Sequence, residues 1–186
     1  MSTNKKQDLR ITRTQRALVA AMLALLEKNG FQKTTVNDLC DMAMVSRTTF
    51  YQHFEDKYHL LRFSLEQMQS ELRERVEEGD IDALIAVILE HLESRGRAFR
   101  GLLREEMNYE LLRMFSEVWV RDLTRSLEEH TARGKVFQVP VQALAVYMAG
   151  GAAQLLVWWL ESGFSPPREE MARCLKVLTL AAAGVE

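Results

Sequence analysis

Between Arg47 and Phe54 the side chains are sorted by chemistry. Arg47, Thr48, Thr49, Tyr51, Gln52 and His53 all form hydrogen bonds, only Phe50 and Phe54 are apolar, and no acidic residue interrupts the run. Such a set suits the reading of a polyanion with coded edges. An arginine fork bonds guanine O6 and N7, glutamine bonds adenine, and threonine bonds a phosphate or touches a thymine methyl. Lys57, just beyond, can add a phosphate contact. Phe50 and Phe54 are expected in the core, and Tyr51 by itself could equally cover a helical bundle.

To be presented in this way the run must be a helix with a fixed start. From Thr14 to Asn29 the apolar residues Leu18, Ala21, Met22, Leu25 and Leu26 share one face at helical spacing. Gly30 is expected as its left-handed stop, with Phe31 folding back on the last turn. Thr35 is predicted to cap a short second helix, and Asp38, three residues on, to complete a capping-box-like pair. Val36, Leu39, Cys40 and Ala43 make the apolar face of that helix. Met44 and Val45 then turn the chain, and Ser46 is predicted to cap the third helix. Two short helices joined by about three residues match a helix-turn-helix, whose second helix enters the major groove. An ordinary three-helix bundle has similar spacing.

Charge follows the same division. Residues 1–60 carry nine Lys or Arg against six Asp or Glu, and the remainder fifteen against twenty. Lys5, Lys6, Arg10, Arg13 and Arg16 face only Asp8 within the first sixteen residues. A basic front end suits a polyanion, although a solvated arm has the same composition. Three prolines, nine glycines and no period-two run of β-branched residues point to an all-α chain. Cys40 and Cys174 lack metal or redox spacing and are expected as reduced thiols.

Other chemistries find little support. There is no H-E-x-x-H, no phosphate-cradling glycine loop and no nucleophile elbow, and Glu105-Glu106 near His91 or His130 is the weak remainder. An enzyme is not expected, nor a cofactor. His53 and His59, six apart, share no helical face, so no metal site is expected. The polar start, Met1 to Arg10, has no export signal, and a cytoplasmic location is expected. Ala143 to Leu160 holds eighteen residues without formal charge, close to the lower limit for a membrane span. It carries Gln154, lacks flanking Lys or Arg and is followed by Glu161, Gly163 and Pro166-Pro167, so partnering with protein is expected rather than with a membrane.

Phe31, Thr34-Thr35-Val36, Ala43 through Phe54, Asp56-Lys57 and Leu60-Leu61 together resemble the signature of TetR family regulators. The likeness covers roughly Arg10 to Leu61. It implies an N-terminal three-helix helix-turn-helix DNA-binding domain (10–60) behind a flexible basic arm (1–9), and a C-terminal helical ligand-binding and dimerisation domain (61–186). It also implies that Thr35, Arg47, Thr48, Thr49, Tyr51, Gln52, His53 and Lys57 lie at or near double-stranded operator DNA, with Tyr51 and Lys57 mostly on phosphates. Met44 departs from the pattern, because the family often has glycine in that turn. A left-handed methionine there costs on the order of 1 kcal/mol.

In the remaining two thirds a helix is expected from Lys57 to about Glu78, another from Ile81 to Leu92, a short piece between Gly96 and Gly101, and a long one from Asn108 to about His130. Phe99, Leu103, Met107, Tyr109, Met114, Phe115, Trp119, Tyr147 and Trp158 are large apolar groups able to line a cavity for a small, mostly apolar effector, although such stripes are also plain core. Two successive apolar helices at the end resemble the pair through which TetR family subunits dimerise, with Gly150, Gly151, Ala152, Leu155, Trp159, Leu175 and Leu178 as interface candidates. The expected function is a homodimeric repressor released from a palindromic operator by its effector. The alternative is an activator, or a regulator controlled by a protein partner.

Overall fold

The computed structural model describes residues 2–77, 80–103 and 109–184, with the side chains of 2–8, 103, 109–112 and 115 left aside. The described residues form helices and connecting turns. They cluster into two compact units. The first holds α1 (Ser2–Asn29), α2 (Val36–Ala43), α3 (Arg47–His53), the start of α4 (Lys57–Glu74) and, from much later in the chain, α6 (Gly96–Leu103). The second holds the rest of α4 together with α5 (Ile81–Ser94), α7 (Tyr109–Ala132), α8 (Val141–Glu161) and α9 (Arg168–Ala182). The first runs to Gln67 and takes α6 back from the C-terminal part. Helix α1 begins at Ser2. Lysine, glutamine, leucine and arginine are good helix formers, and no glycine or proline stops the helix there.

Within the first unit the local signals act as their residue types require. Gly30 adopts φ 77° and returns its N–H to the Leu26 carbonyl at 3.2 Å, closing α1. The Thr35 hydroxyl accepts the Asp38 N–H at 3.2 Å, while the Asp38 carboxylate accepts the Thr35 N–H at 2.9 Å, a complete capping box. The Ser46 hydroxyl accepts the Thr49 N–H at 3.0 Å and starts α3. Met44 is left-handed at φ 54°, so the turn keeps the conformation that favours glycine and bears the strain of a side chain. Behind these caps lies the core: Leu18, Met22, Phe31, Leu39, Phe50, Phe54, Leu60 and Leu61 are all buried. Burial also pushes the Cys40 thiol up, which keeps it protonated and inert.

Helix α6 meets α1 at unusually short range. A Cβ on Gly101 would stand 1.9 Å from the Leu26 carbonyl oxygen, and the Gly101 carbonyl accepts the Phe31 N–H at 3.3 Å. Only glycine fits against backbone at that distance.

In the second unit α8 packs on α7 through Leu127, Leu144 and Ala145, with Val120, Leu123 and Met148 around them. Trp159 is completely buried, donates Nε1–H to the Pro166 carbonyl at 2.6 Å and meets the Phe164 ring edge-on at 4.9 Å. Ion pairs such as Arg73–Asp122 at 3.1 Å and Lys176–Asp82 at 2.7 Å join helices at the surface. Half-exposed pairs of this kind contribute about 0–1 kcal/mol each, so apolar burial does most of the holding.

Two outcomes are expected. Gly101→Ala should destabilise the chain by about 1–3 kcal/mol, the usual cost of overpacking, read as a thermal midpoint lowered by about 2–4 °C per kcal/mol. Thr35→Ala should cost about 1 kcal/mol at neutral pH. The Asp38 carboxylate is held below its usual 3.8 chiefly by the Thr35 hydroxyl. Its contribution is therefore present above that value and lost as the pH falls through the lower folded one. The deficit of Thr35→Ala, measured by denaturant titration, should narrow in that acid range.

Candidate nucleic-acid interface

Helix α3 has two faces because its polar residues recur at i, i+1, i+4 and i+5. Arg47, Thr48, Tyr51 and Gln52 are exposed, whereas Phe50 and Phe54 on the other side are buried. The anchoring is aromatic. The Phe50 and Phe54 rings lie 5.9 Å apart, and Phe54 meets Phe63 of α4 at 5.3 Å. Burying such a ring contributes about 1.5–3 kcal/mol, enough to prevent α3 from rolling its polar face inward. On the open face the Arg47 guanidinium sits 5.8 Å from the Tyr51 ring centroid, a cation–π arrangement that extends both side chains along one helix edge.

The remaining members of the expected DNA set are placed differently. Thr35 is exposed at the start of α2, but its hydroxyl is engaged in the capping box. Thr49 is half-buried with its hydroxyl 2.9 Å from that of Ser46, so it belongs to the α3 cap more than to the open face. His53 is half-buried in the last turn, its ring 6.3 Å from Phe54. Lys57 points inward. Its ammonium donates to the carbonyls of Phe31, Gln32 and Thr34 at 2.9, 3.1 and 3.0 Å. These acceptors lie more than twenty residues away along the chain, where no local pattern reveals them. Met44 is 91% exposed beside the start of α3. The only sequence signal for Met44 was its departure from glycine.

The effector candidates separate. Phe99 is half-buried on α6 in the first unit, whereas Met114, buried, and Trp119, half-buried, lie on α7 in the second. Leu103, Met107, Tyr109 and Phe115 fall outside the described side chains. Tyr147 and Trp158 lie on α8 in the second unit. They are 71% and 49% exposed and line an open groove of about 520 Å³ on α8 and α9 with Gly151, Ala152, Leu155, Leu175 and Leu178. The groove thus collects five of the interface candidates. Gly150 is half-buried next to it, and Trp159 is completely buried. By length and composition alone α8 could cross a membrane. One of its sides is occupied, since Leu144, Ala149, Ala153, Leu156 and Trp159 are buried within the unit.

A model of bacterial regulatory proteins of the tetR family matches residues 18–62, the segment that carries α2, α3 and the start of α4. A model of a transcriptional regulator C-terminal region matches residues 79–180, more than half of the chain. The chain is 25% identical over 179 residues to the uncharacterised HTH-type transcriptional regulator YxbF of Bacillus subtilis, covering 91% of this chain and 45% of that one. It is 34% identical over 74 residues to the probable acrEF/envCD operon repressor of Escherichia coli, covering 40% of this chain and 33% of that protein. The chain thus spans less than half the length of these relatives. In fold it is similar to a TetR transcriptional regulator of Streptococcus agalactiae, with a TM-score of 0.66, 24% identity, and coverage of 95% and 99% of the two chains. With one model on the segment that carries the polar helix and the other on most of the remainder, the chain belongs to the tetR family of bacterial regulatory proteins.

Proposed function

We propose that this chain is a DNA-binding transcriptional regulator that reads a two-fold symmetric operator as a homodimer and is released from it by a small, mostly apolar effector. The observation that carries the reading is the open face of α3. Arg47, Thr48, Tyr51 and Gln52 stand clear of a sealed aromatic back, with donors and acceptors suited to base edges and phosphates. Repression rather than activation follows the Escherichia coli relative, which is named as a probable operon repressor.

The dimer reading is supported by α8 and α9. Val146, Tyr147, Trp158, Val177 and Leu178 are large apolar side chains exposed on these two helices. Added Cβ atoms at Gly150 and Gly151 would meet nothing within 4 Å, so packing inside the subunit does not require these glycines. Close approach of a second helix would. Symmetric pairing would set two α3 helices against successive major grooves. The effector is assigned to the second unit, where Met114 and Trp119 are the described candidates. A nearly complete switch, from about 1:99 to 99:1, requires it to favour the released state by about 5.5 kcal/mol.

Binding of the purified protein to duplexes from the region around its own gene tests the reading. Arg47→Ala should weaken the specific complex by about 1–3 kcal/mol, roughly 5- to 150-fold, and relax selectivity at one base pair. Equal affinity for every fragment in parent and variant would sink the reading. Lower reporter expression on deletion of the gene would turn repressor into activator. For the dimer, Gly151→Leu should remain folded by circular dichroism and sediment as a monomer. A variant that remains dimeric would move the interface elsewhere.

A further inference from the structure

Lys57 is turned toward the backbone of the 31–34 loop. Its Nζ lies within 3.1 Å of three carbonyl oxygens, Phe31, Gln32 and Thr34. An ammonium has three N–H donors, so these bonds match its full capacity. It also lies 4.6 Å from the Phe31 ring centroid and 5.9 Å from that of Tyr58, and these two rings meet edge-on at 5.0 Å. The site is half-buried and aromatic, which strengthens each charge-assisted bond. A phosphate contact would require Lys57 to give up bonds it already holds.

The bonded carbonyls belong to the segment that delivers the chain from α1 to the α2 cap. Thr34 is the residue before the capping Thr35, and Phe31 is the residue whose N–H reaches Gly101 of α6. Lys57 is the first residue of α4. A single ammonium thus ties the start of α4 to the loop that aims α2, and through the short turn at Met44 to α3. We infer that Lys57 is a positioning residue for DNA reading, which orients the helix-turn-helix through the 31–34 loop, and is not itself a phosphate ligand. The inference rests on the regulator reading above and adds a role within that site.

Salt dependence separates the two roles. Removing one phosphate ligand lowers the slope of log affinity on log salt by about 0.9, whereas misplacement of the whole reading unit lowers affinity at every salt alike. The test compares full-length parent and Lys57→Met on a random-sequence duplex of about 30 base pairs across a salt series. Amide hydrogen exchange is followed on the same samples. Lys57→Met is expected to bind about tenfold more weakly with its slope within about 0.3 of the parent, and to exchange faster selectively at residues 31–35. A slope lowered by about 0.9 in Lys57→Met would make it a phosphate ligand and overturn the inference. Unchanged affinity and slope would reduce the residue to a structural tie and overturn it as well. Lys57→Gln keeps two N–H donors without the charge, and should give a smaller parallel shift if the methionine variant does not fold. Parent protein without salt-dependent binding would overturn the regulator reading itself. Faster exchange at 31–35 would still identify the tie to the loop, so the two failures are distinguishable.

Discussion

Between Gly30 and Thr34 the backbone belongs to no helix, so its polar groups must find partners that helix geometry does not supply. Each partner comes from a different part of the first unit. The Gly30 carbonyl takes the hydroxyl of buried Thr34, the Phe31 N–H takes the Gly101 carbonyl of α6, and three further carbonyls take the Lys57 ammonium of α4. Satisfying this short turn is what holds α1, α2, α4 and α6 in register. An unpaired buried backbone group costs about 1–3 kcal/mol, so several failing together would exceed the margin of a small unit.

The polar face of α3 depends on that register. Its residues are useful only if the helix cannot roll or slide, and the Ser46 cap, the aromatic back and the left-handed Met44 turn each remove one freedom. The strain at Met44 is tolerated on a helix that is otherwise over-determined. Its side chain is directed to solvent.

Helix α8 illustrates a second constraint. Apolar on nearly every side, it buries one face against its own unit and leaves the other, with Tyr147, Gly151 and Trp158, along an open groove. Two adjacent tryptophans take opposite fates, Trp159 fully buried and Trp158 half-exposed. Successive residues of a helix point about 100° apart, so neighbours in sequence need not share a surface.

Much of the first unit was legible from local patterns. The Gly30 stop, the Thr35–Asp38 box, the Ser46 cap and the division of α3 into Phe50 and Phe54 against Arg47, Thr48, Tyr51 and Gln52 all follow from neighbours within four residues, the range over which helix hydrogen bonds and helix faces are set. Tertiary structure alone decided the rest. It turned Lys57 from solvent to carbonyls 23 to 26 residues away, brought Gly101 onto the Leu26 carbonyl, and chose which side of α8 faces inward. In each case the deciding partner is distant along the chain, and periodicity carries no record of which distant groups will be left in need of one another.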